Sequence, residues 1–207
     1  TGSWDITKYT AQWTGTANAS MSTLSQDGSV VATNLSFDPS LTQTLTGGDS
    51  TWTRTDDSTS PSGHTWTGVV TAENWQFLYG VDIMPSQFGT TANPAPGENM
   101  VFAVFGSSAD KVVLRIRFYD GTTWTDVNVN RIGLPSSPGW VTYGFTMPNS
   151  GSLLISFSSF YNLPVGHSLT LSAIGLYTAS DWAAMQALGV TWFSGDTRWQ
   201  NGMGLQF

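Results

Sequence analysis

Apolar and polar residues alternate with a period of two through much of this chain, most sharply between Val112 and Val129, VVLRIRFYDGTTWTDVNV. Leu114, Ile116 and Phe118 fall on one side of a strand, Asp120-Gly121 has the residues of a two-residue type I′ turn, and Val127 and Val129 resume the alternation. The stretch predicts a β-hairpin. With that turn, Tyr119 sits opposite Thr122, Phe118 opposite Thr123, Arg117 opposite Trp124, Arg115 opposite Asp126 and Val113 opposite Asn128. One face is then apolar, and the other carries Arg115, Arg117, Tyr119, Trp124, Asp126 and Asn128.

The same period predicts a first strand over Val30 to Asp38 and another over Asn74 to Met84, where Trp75, Phe77, Tyr79, Val81 and Ile83 share a face and Gln76 and Asp82 lie opposite. Further strands are expected over Met100 to Phe105, Trp140 to Met147, Leu153 to Phe157 and Ser168 to Tyr177. Ser40 to Gly68 reads as a long polar stretch, and Gln87 to Asn99 as a Pro, Gly and Asn loop able to border a site. One helix is credible, with Ser180 as N-cap, Asp181 in the first turn, Trp182, Met185 and Leu188 as its apolar stripe and Gly189 as its stop. Many short strands separated by turn residues imply an all-β, antiparallel two-sheet sandwich with one short C-terminal helix. The expected division is an N-terminal arm over 1–28, the sandwich over 29–178, and a helix with an aromatic tail over 179–207.

Composition sharpens this picture. The 207 residues are enough for one all-β body with a sizeable core. Charged residues make up 10% and aromatics 13%, with ten tryptophans, which suits sheets with uncharged polar faces. A net charge of −7 with seven Lys and Arg thinly spread offers no basic stripe, which argues against nucleic acid as a partner. Absence of cysteine removes disulfides, thiol nucleophiles and cysteine-ligated zinc. No long apolar run or charged leader is present, so no membrane insertion is expected, and Thr1-Gly2-Ser3 reads as a processed end.

Asn34-Leu35-Ser36-Phe37-Asp38, Trp52 ahead of the turn Ser60 to Gly63, the strand Trp140 to Tyr143 leading to Pro148, and the closing Leu171-Ser172-Ala173-Ile174-Gly175-Leu176-Tyr177 follow one another in a telling order. That order resembles the jelly-roll carbohydrate-binding modules of the galactose-binding-like superfamily, of the kind appended to xylanases and glucanases. The resemblance covers residues 29–178 and implies a jelly roll that binds a glycan. It also offers Asp38 as a ligand of a structural calcium. The family's usual second acid, on the last strand, is replaced here by Ser172-Ala173.

Two sets of residues are candidates for sugar binding. On the hairpin face, Trp124 or Tyr119 would stack on a pyranose while Arg115, Arg117, Asp126 and Asn128 bond its hydroxyls. The same residues could instead form an internal ladder, Arg115 with Asp126 and Arg117 over Trp124. Trp52 and Trp66, set in the polar stretch, form the second candidate site, whereas Trp75 reads as core. Catalysis has thin support: the only glutamates are Glu73 and Glu98, Asp56-Asp57 reads as a solvated loop pair, and His64 and His167 stand in no metal-binding spacing. His64 reads as a loop residue. A jelly-roll glycosidase or lyase stays open on this evidence.

The expected function is thus non-catalytic binding of a polysaccharide or cell-surface glycan, as a module of a larger exported or virion assembly of bacterial or phage origin. No cofactor is required beyond the candidate calcium. The alternative is a structural or receptor-binding subunit of a phage tail fibre, spike or capsid decoration. In either case the aromatic segments 1–28 and 190–207 are candidates for assembly into a homotrimer or larger body.

Overall fold

The computed structural model of the chain describes residues 9–17, 20–36, 38–42, 45, 50–72, 79–83, 97–110, 112–119, 122–126, 132–147, 152–157, 164–200 and 203–206. Three strands, β1 (Tyr9–Trp13), β2 (Ser22–Gln26) and β3 (Ser29–Asn34), form an N-terminal meander. The β2–β3 turn at Asp27-Gly28 has both residues at positive φ, 50° and 83°, the region that Asp tolerates and Gly favours. The expected strand from Val30 therefore exists, ends at Asn34, and shares a sheet with the segment before residue 29.

Two larger antiparallel sheets follow. In the first, β4 (Ser50–Asp56), β5 (His64–Val70), β7 (Asn99–Ser107), β11 (Gly139–Thr146) and β13 (Ser168–Thr178) lie in the order β11-β7-β13-β5-β4. In the second, β6 (Tyr79–Ile83), β8 (Val113–Tyr119), β10 (Ile132–Gly133) and β12 (Ser152–Phe157) lie in the order β10-β8-β12-β6, and β9 (Trp124–Asp126) also pairs with β8. Helix α1 (Ala179–Ala187) continues directly from β13, and β14 (Thr197–Gln200) with β15 (Met203–Gln206) forms a last hairpin. The chain is the expected all-β, two-sheet antiparallel fold, and α1 is the one helix among the described residues.

Period-two alternation decides what each strand buries. Along β5 burial alternates without a break, with His64, Trp66, Gly68 and Val70 in and Thr65, Thr67 and Val69 half out. The inward residues of the first sheet, among them Trp66, Phe102, Val104, Phe145, Leu171 and Leu176, form the main core. Val112 and Leu134, next to β8 and β10 of the second sheet, belong to the same core. Strand β13 is buried on both faces from Leu171 to Tyr177, because its outer side meets a second core of Ala11, Leu24, Ala32, Met185 and Phe193.

Asn34 ties these layers together. It is fully buried; its side-chain amide donates to the Phe193 carbonyl at 2.8 Å and its oxygen accepts from the Ser36 and Leu176 amides at 3.1 and 3.2 Å. All of its polar atoms thus have partners, on the meander, on β13 and on the C-terminal segment. The capture of the Ser36 amide also explains why β3 stops at Asn34.

Local chemistry corrects several expectations. The helix N-cap is Thr178, not Ser180: its hydroxyl accepts from the Asp181 amide at 3.1 Å, so the helix starts at Ala179. The expected stop holds. Gly189 has φ +70°, its amide bonds Gln186, and the Val190 amide bonds Met185, the paired bonds of a Schellman ending. The polar stretch 40–68 is no loop, since β4 and most of β5 lie in it and His64 is a buried strand residue, 3% exposed. Asp57 fits its solvated reading, and hydrogen bonds from the Thr59 hydroxyl and amide hold its carboxyl below the usual range.

Of the two aromatic end segments, the side chains that are described are used inside the chain. The Trp13 indole packs over Gly195 and donates to Asp196 at 3.0 Å. Trp192 donates to the Ile174 carbonyl at 2.8 Å and its ring lies 6.4 Å from that of Trp140, while Phe193 is fully buried beside Tyr177. The tail thus packs on the outer side of the first sheet.

Candidate functional site

The hairpin predicted between Val112 and Val129 forms, with a different register. Tyr119 faces Trp124, Phe118 faces Thr125, and Arg117 faces Asp126. The expected pairings of Arg117 with Trp124 and of Arg115 with Asp126 are therefore wrong by two residues, since Tyr119 pairs with Trp124 and not with Thr122. A slip of two conserves which side every residue belongs to, so alternation alone cannot detect it. The observed register sets aromatic opposite aromatic and cation opposite acid, both favourable cross-strand pairs. Asn128, Val127, Val129, Asp120 and Gly121 lie outside the described residues, as do Trp75, Phe77 and the loop from Gln87 to Pro96.

Pairing on the other side of β8 extends these pairs into rows. Arg117 lies opposite Leu154 of β12, and Leu154 lies opposite Asp82 of β6, so one row reads Asp82, Leu154, Arg117, Asp126. A second row is Ser152, Tyr119, Trp124, and a third is Gly80, Ser156, Arg115. The intervening positions are apolar in β6, β12 and β8: Ile83 with Leu153 and Phe118, Val81 with Ile155 and Ile116, Tyr79 with Phe157 and Leu114; on β9 the position opposite Phe118 is Thr125. Across β6, β12 and β8 the second sheet thus has one apolar set of positions and one set that is mostly polar and aromatic. The register gathers Arg115, Arg117, Tyr119, Trp124 and Asp126 on the polar set and adds Asp82 to them.

Asp82 was not among the candidate residues from the sequence. Its signal is there, as the single charge of the strand Tyr79–Ile83, alternating with Val81 and Ile83, but its partner strand β12 becomes its neighbour only in the folded sheet.

Trp52 and Trp66 do not form a loop site. Both lie on strands, because the triplets Thr51-Trp52-Thr53 and Thr65-Trp66-Thr67 place tryptophan inward and threonine outward. Trp66 is 5% exposed in the main core, and its indole donates to the Leu41 carbonyl at 2.7 Å. Trp52 is half-buried against that core, donates to Ser50 at 3.1 Å, and lies flat over Gly68 of β5, where a Cβ would come within 2.7 Å of the ring. These are structural uses of tryptophan.

A polar cluster fills the end of the first sheet beside them. The Leu41 carbonyl, at a residue with φ +51°, accepts the Trp66 indole and faces His64 Nε2 at 3.0 Å. The His64 carbonyl lies 2.7 to 3.0 Å from the hydroxyls of Ser60, Ser62 and Ser172. Ser172 sits at the bulge of β13, where the register to β7 shifts between Leu171 and Ala173. The bulge aims its short side chain at this cluster. With His64 buried and engaged, the cluster fastens the 38–42 turn to the sheet.

Asp38 also works within that turn, where its Oδ1 accepts from the Thr42 amide at 2.9 Å and hydroxyl at 2.8 Å. Among the described residues, no three acids or histidines converge on a common point there or elsewhere.

No family model matches the chain, and no curated protein matches it. Solved structures of similar fold include the C-terminal family 22 carbohydrate-binding module of Clostridium thermocellum Xyn10B, at 12% identity and TM-score 0.47 over 68% of this chain and 87% of that one. They also include the CBM22-1 xylan-binding domain of Paenibacillus barcinonensis Xyn10C, at 14% identity and TM-score 0.45 over 65% and 84%. A third is the enzymatically active domain of bacteriophage CBA120 tailspike protein 4, at 12% identity and TM-score 0.38, covering 84% of this chain and 20% of that one. The first two belong to the class of module that the order of sequence features resembles.

Proposed function

We propose that the protein binds a polysaccharide, without catalysis, on the polar set of positions of the second sheet. The observation that carries this reading is the register of β8 with β9, which puts Tyr119 opposite Trp124 beside Arg117 opposite Asp126. Paired aromatics suit the apolar face of a sugar ring, and flanking hydrogen-bonding groups suit its hydroxyls. Asp82 extends the same row on the far side of β12. The acids of this row argue against hydrolysis. Three strand spacings separate Asp82 from Asp126, about 14 Å between backbones, beyond the roughly 5 to 9.5 Å that carboxyl pairs span in glycosidases.

We place the module outside the cell or on a virion, as one part of a larger assembly. The hydroxyl-rich, sparsely charged and cysteine-free composition supports that setting. Affinity electrophoresis of the protein through a panel of soluble polysaccharides tests the function. At least one polymer is expected to retard the wild-type chain, and Trp124→Ala or Tyr119→Ala to weaken retention about tenfold, the loss of roughly 1.4 kcal/mol. Unchanged retention in both variants would move the site elsewhere, and release of reducing sugar during incubation would overturn the non-catalytic reading.

A further inference from the structure

Cations are scarce in this chain and unevenly placed. Of the seven, Lys111, Arg115, Arg117 and Arg131 fall between positions 111 and 131, beside only two acids, Asp120 and Asp126. That segment has a net charge of +2, whereas the rest of the chain, with three cations and twelve acids, has −9. Lys111 and Arg131 lie outside the described residues; Arg115 and Arg117 are both on β8, in the polar set of the second sheet.

The two arginines stand in unlike rows. Arg117 faces Asp126 of β9, and Asp82 of β6 ends the same row. Asp82 and Asp126, the acids of the polar set among the described residues, thus both belong to the row of one cation. The row of Arg115 is Gly80, Ser156, Arg115, and it holds no acid among the described residues. Strands β10 and β12, which flank β8, contain none either, since no acid occurs between Asp126 and Asp181. Glycine and serine are also among the smallest residues, which leaves room over that row for a ligand.

We propose that the polysaccharide taken by the second sheet is an acidic one, built with uronic acid residues, and that Arg115 is the position that reads its carboxylate. This rests on the polysaccharide-binding reading of the same face. Arginine suits the task, because its guanidinium is always charged and its planar fork of N–H donors matches the two oxygens of a carboxylate. Four residues separate Arg115 from Tyr119, about 13 Å along an extended strand. That is longer than one pyranose ring, so stacking at Tyr119 and Trp124 and carboxylate recognition at Arg115 fall on different sugars of one chain. The net charge of −7 opposes a polyanion at long range, and salt screens that repulsion over about 10 Å. Contact at the cationic row then decides binding.

Affinity electrophoresis with a chelator present tests this, through polygalacturonate, alginate, hyaluronate and glucuronoxylan, each beside the same polymer with its carboxyl groups reduced to primary alcohols. Reduction keeps ring and linkage and removes the charge, and it leaves the protein untouched. At least one acidic polymer is expected to bind about tenfold or more tightly than its reduced form, with the difference shrinking as salt is raised. Arg115→Gln should remove the difference, and Arg115→Lys, which keeps the charge without the fork, should restore part of it. Arg54→Gln, on β4 of the other sheet, where Arg54 lies 3.7 Å from Asp56, should leave it intact. Equal binding of acidic and reduced polymers, or a difference that Arg115→Gln leaves unchanged, would overturn the proposal while the polysaccharide reading stands. Failure to bind any acidic, reduced or neutral polymer would overturn both.

Discussion

The outer face of the first sheet has two halves that were built for different neighbours. Around β7, the start of β11 and the second half of β13 the outward positions include Ala103, Phe105, Trp140, Ala173, Gly175 and Tyr177, packed beneath the meander, α1 and the segment 190–194, while Thr142 and Gly144 farther along the edge strand β11 are exposed. Around β4, β5 and the first half of β13 the outward positions include Thr51, Thr53 and Thr55, which are exposed, and Thr65, Thr67 and Thr170, which are half-buried. The bulge at Ser172 separates the two halves. Small and aromatic residues occupy positions where backbone and rings approach closely: a Cβ on Gly175 would meet the Tyr177 ring at 2.5 Å. Threonine occupies the exposed and half-buried positions. Covered and bare halves of one sheet can therefore be told apart by the residue types at alternate positions.

Substitutions at matched places should break this contrast if it is wrong. Phe193→Ala, in the covering layer, should cost the most, about 3 to 5 kcal/mol in chemical denaturation, because the ring is fully buried beside Tyr177. Asn34→Ala should follow at about 3 kcal/mol, since it strands two amides and a carbonyl on buried residues. A loss below about 1 kcal/mol in either would mean that the covering layer is loosely held.

Asp181 gives a middle-sized effect with a pH signature. Its carboxylate accepts from the Thr33 amide at 3.1 Å, joining α1 to the meander, and burial raises its pKa above the ordinary 3.8. A carboxyl raised on folding favours the protonated folded state. Its contribution is therefore complete below pH 3.8 and is lost as pH rises through the higher folded value. Asp181→Asn keeps an acceptor for Thr33 and should flatten that part of the stability profile, whereas Asp181→Ala should cost about 1 to 2 kcal/mol at low pH and less as pH rises. A wild-type profile that Asp181→Asn leaves unchanged would remove the residue from this role. On the bare half, Thr67→Val should stay within about 0.5 kcal/mol of wild type in dilute solution, and a larger loss would mean that the threonine row stabilises the monomer.

Period-two patterning carried much of the fold. The strands over Met100 to Phe105, Trp140 to Met147, Leu153 to Phe157 and Ser168 to Tyr177 are present, as are the apolar and polar sides of the hairpin strand β8. Gly189 was legible as a helix stop because its positive φ is a property of one residue. The N-cap was less so. Thr178 and Ser180 are both good caps two residues apart, and the end of β13 decides between them. The tryptophans misled for a related reason. Trp66 stands among threonines, and threonine reads as polar in a loop and as the solvent side of a strand alike.

What the sequence by itself determined is parity: which residues of each strand share a side, and hence that the second sheet has an apolar side and one bearing arginine, tyrosine, tryptophan and aspartate. Alternation is a local property, and it survives any slip of two and any change of partner strand. The tertiary structure alone decided the rest. It moved Arg117 from Trp124 to Asp126, brought Asp82 into the same row through β12, and closed the covered half of the first sheet with contacts as distant as Trp13 to Asp196. Such contacts depend on how whole layers stack, which no short window of sequence contains.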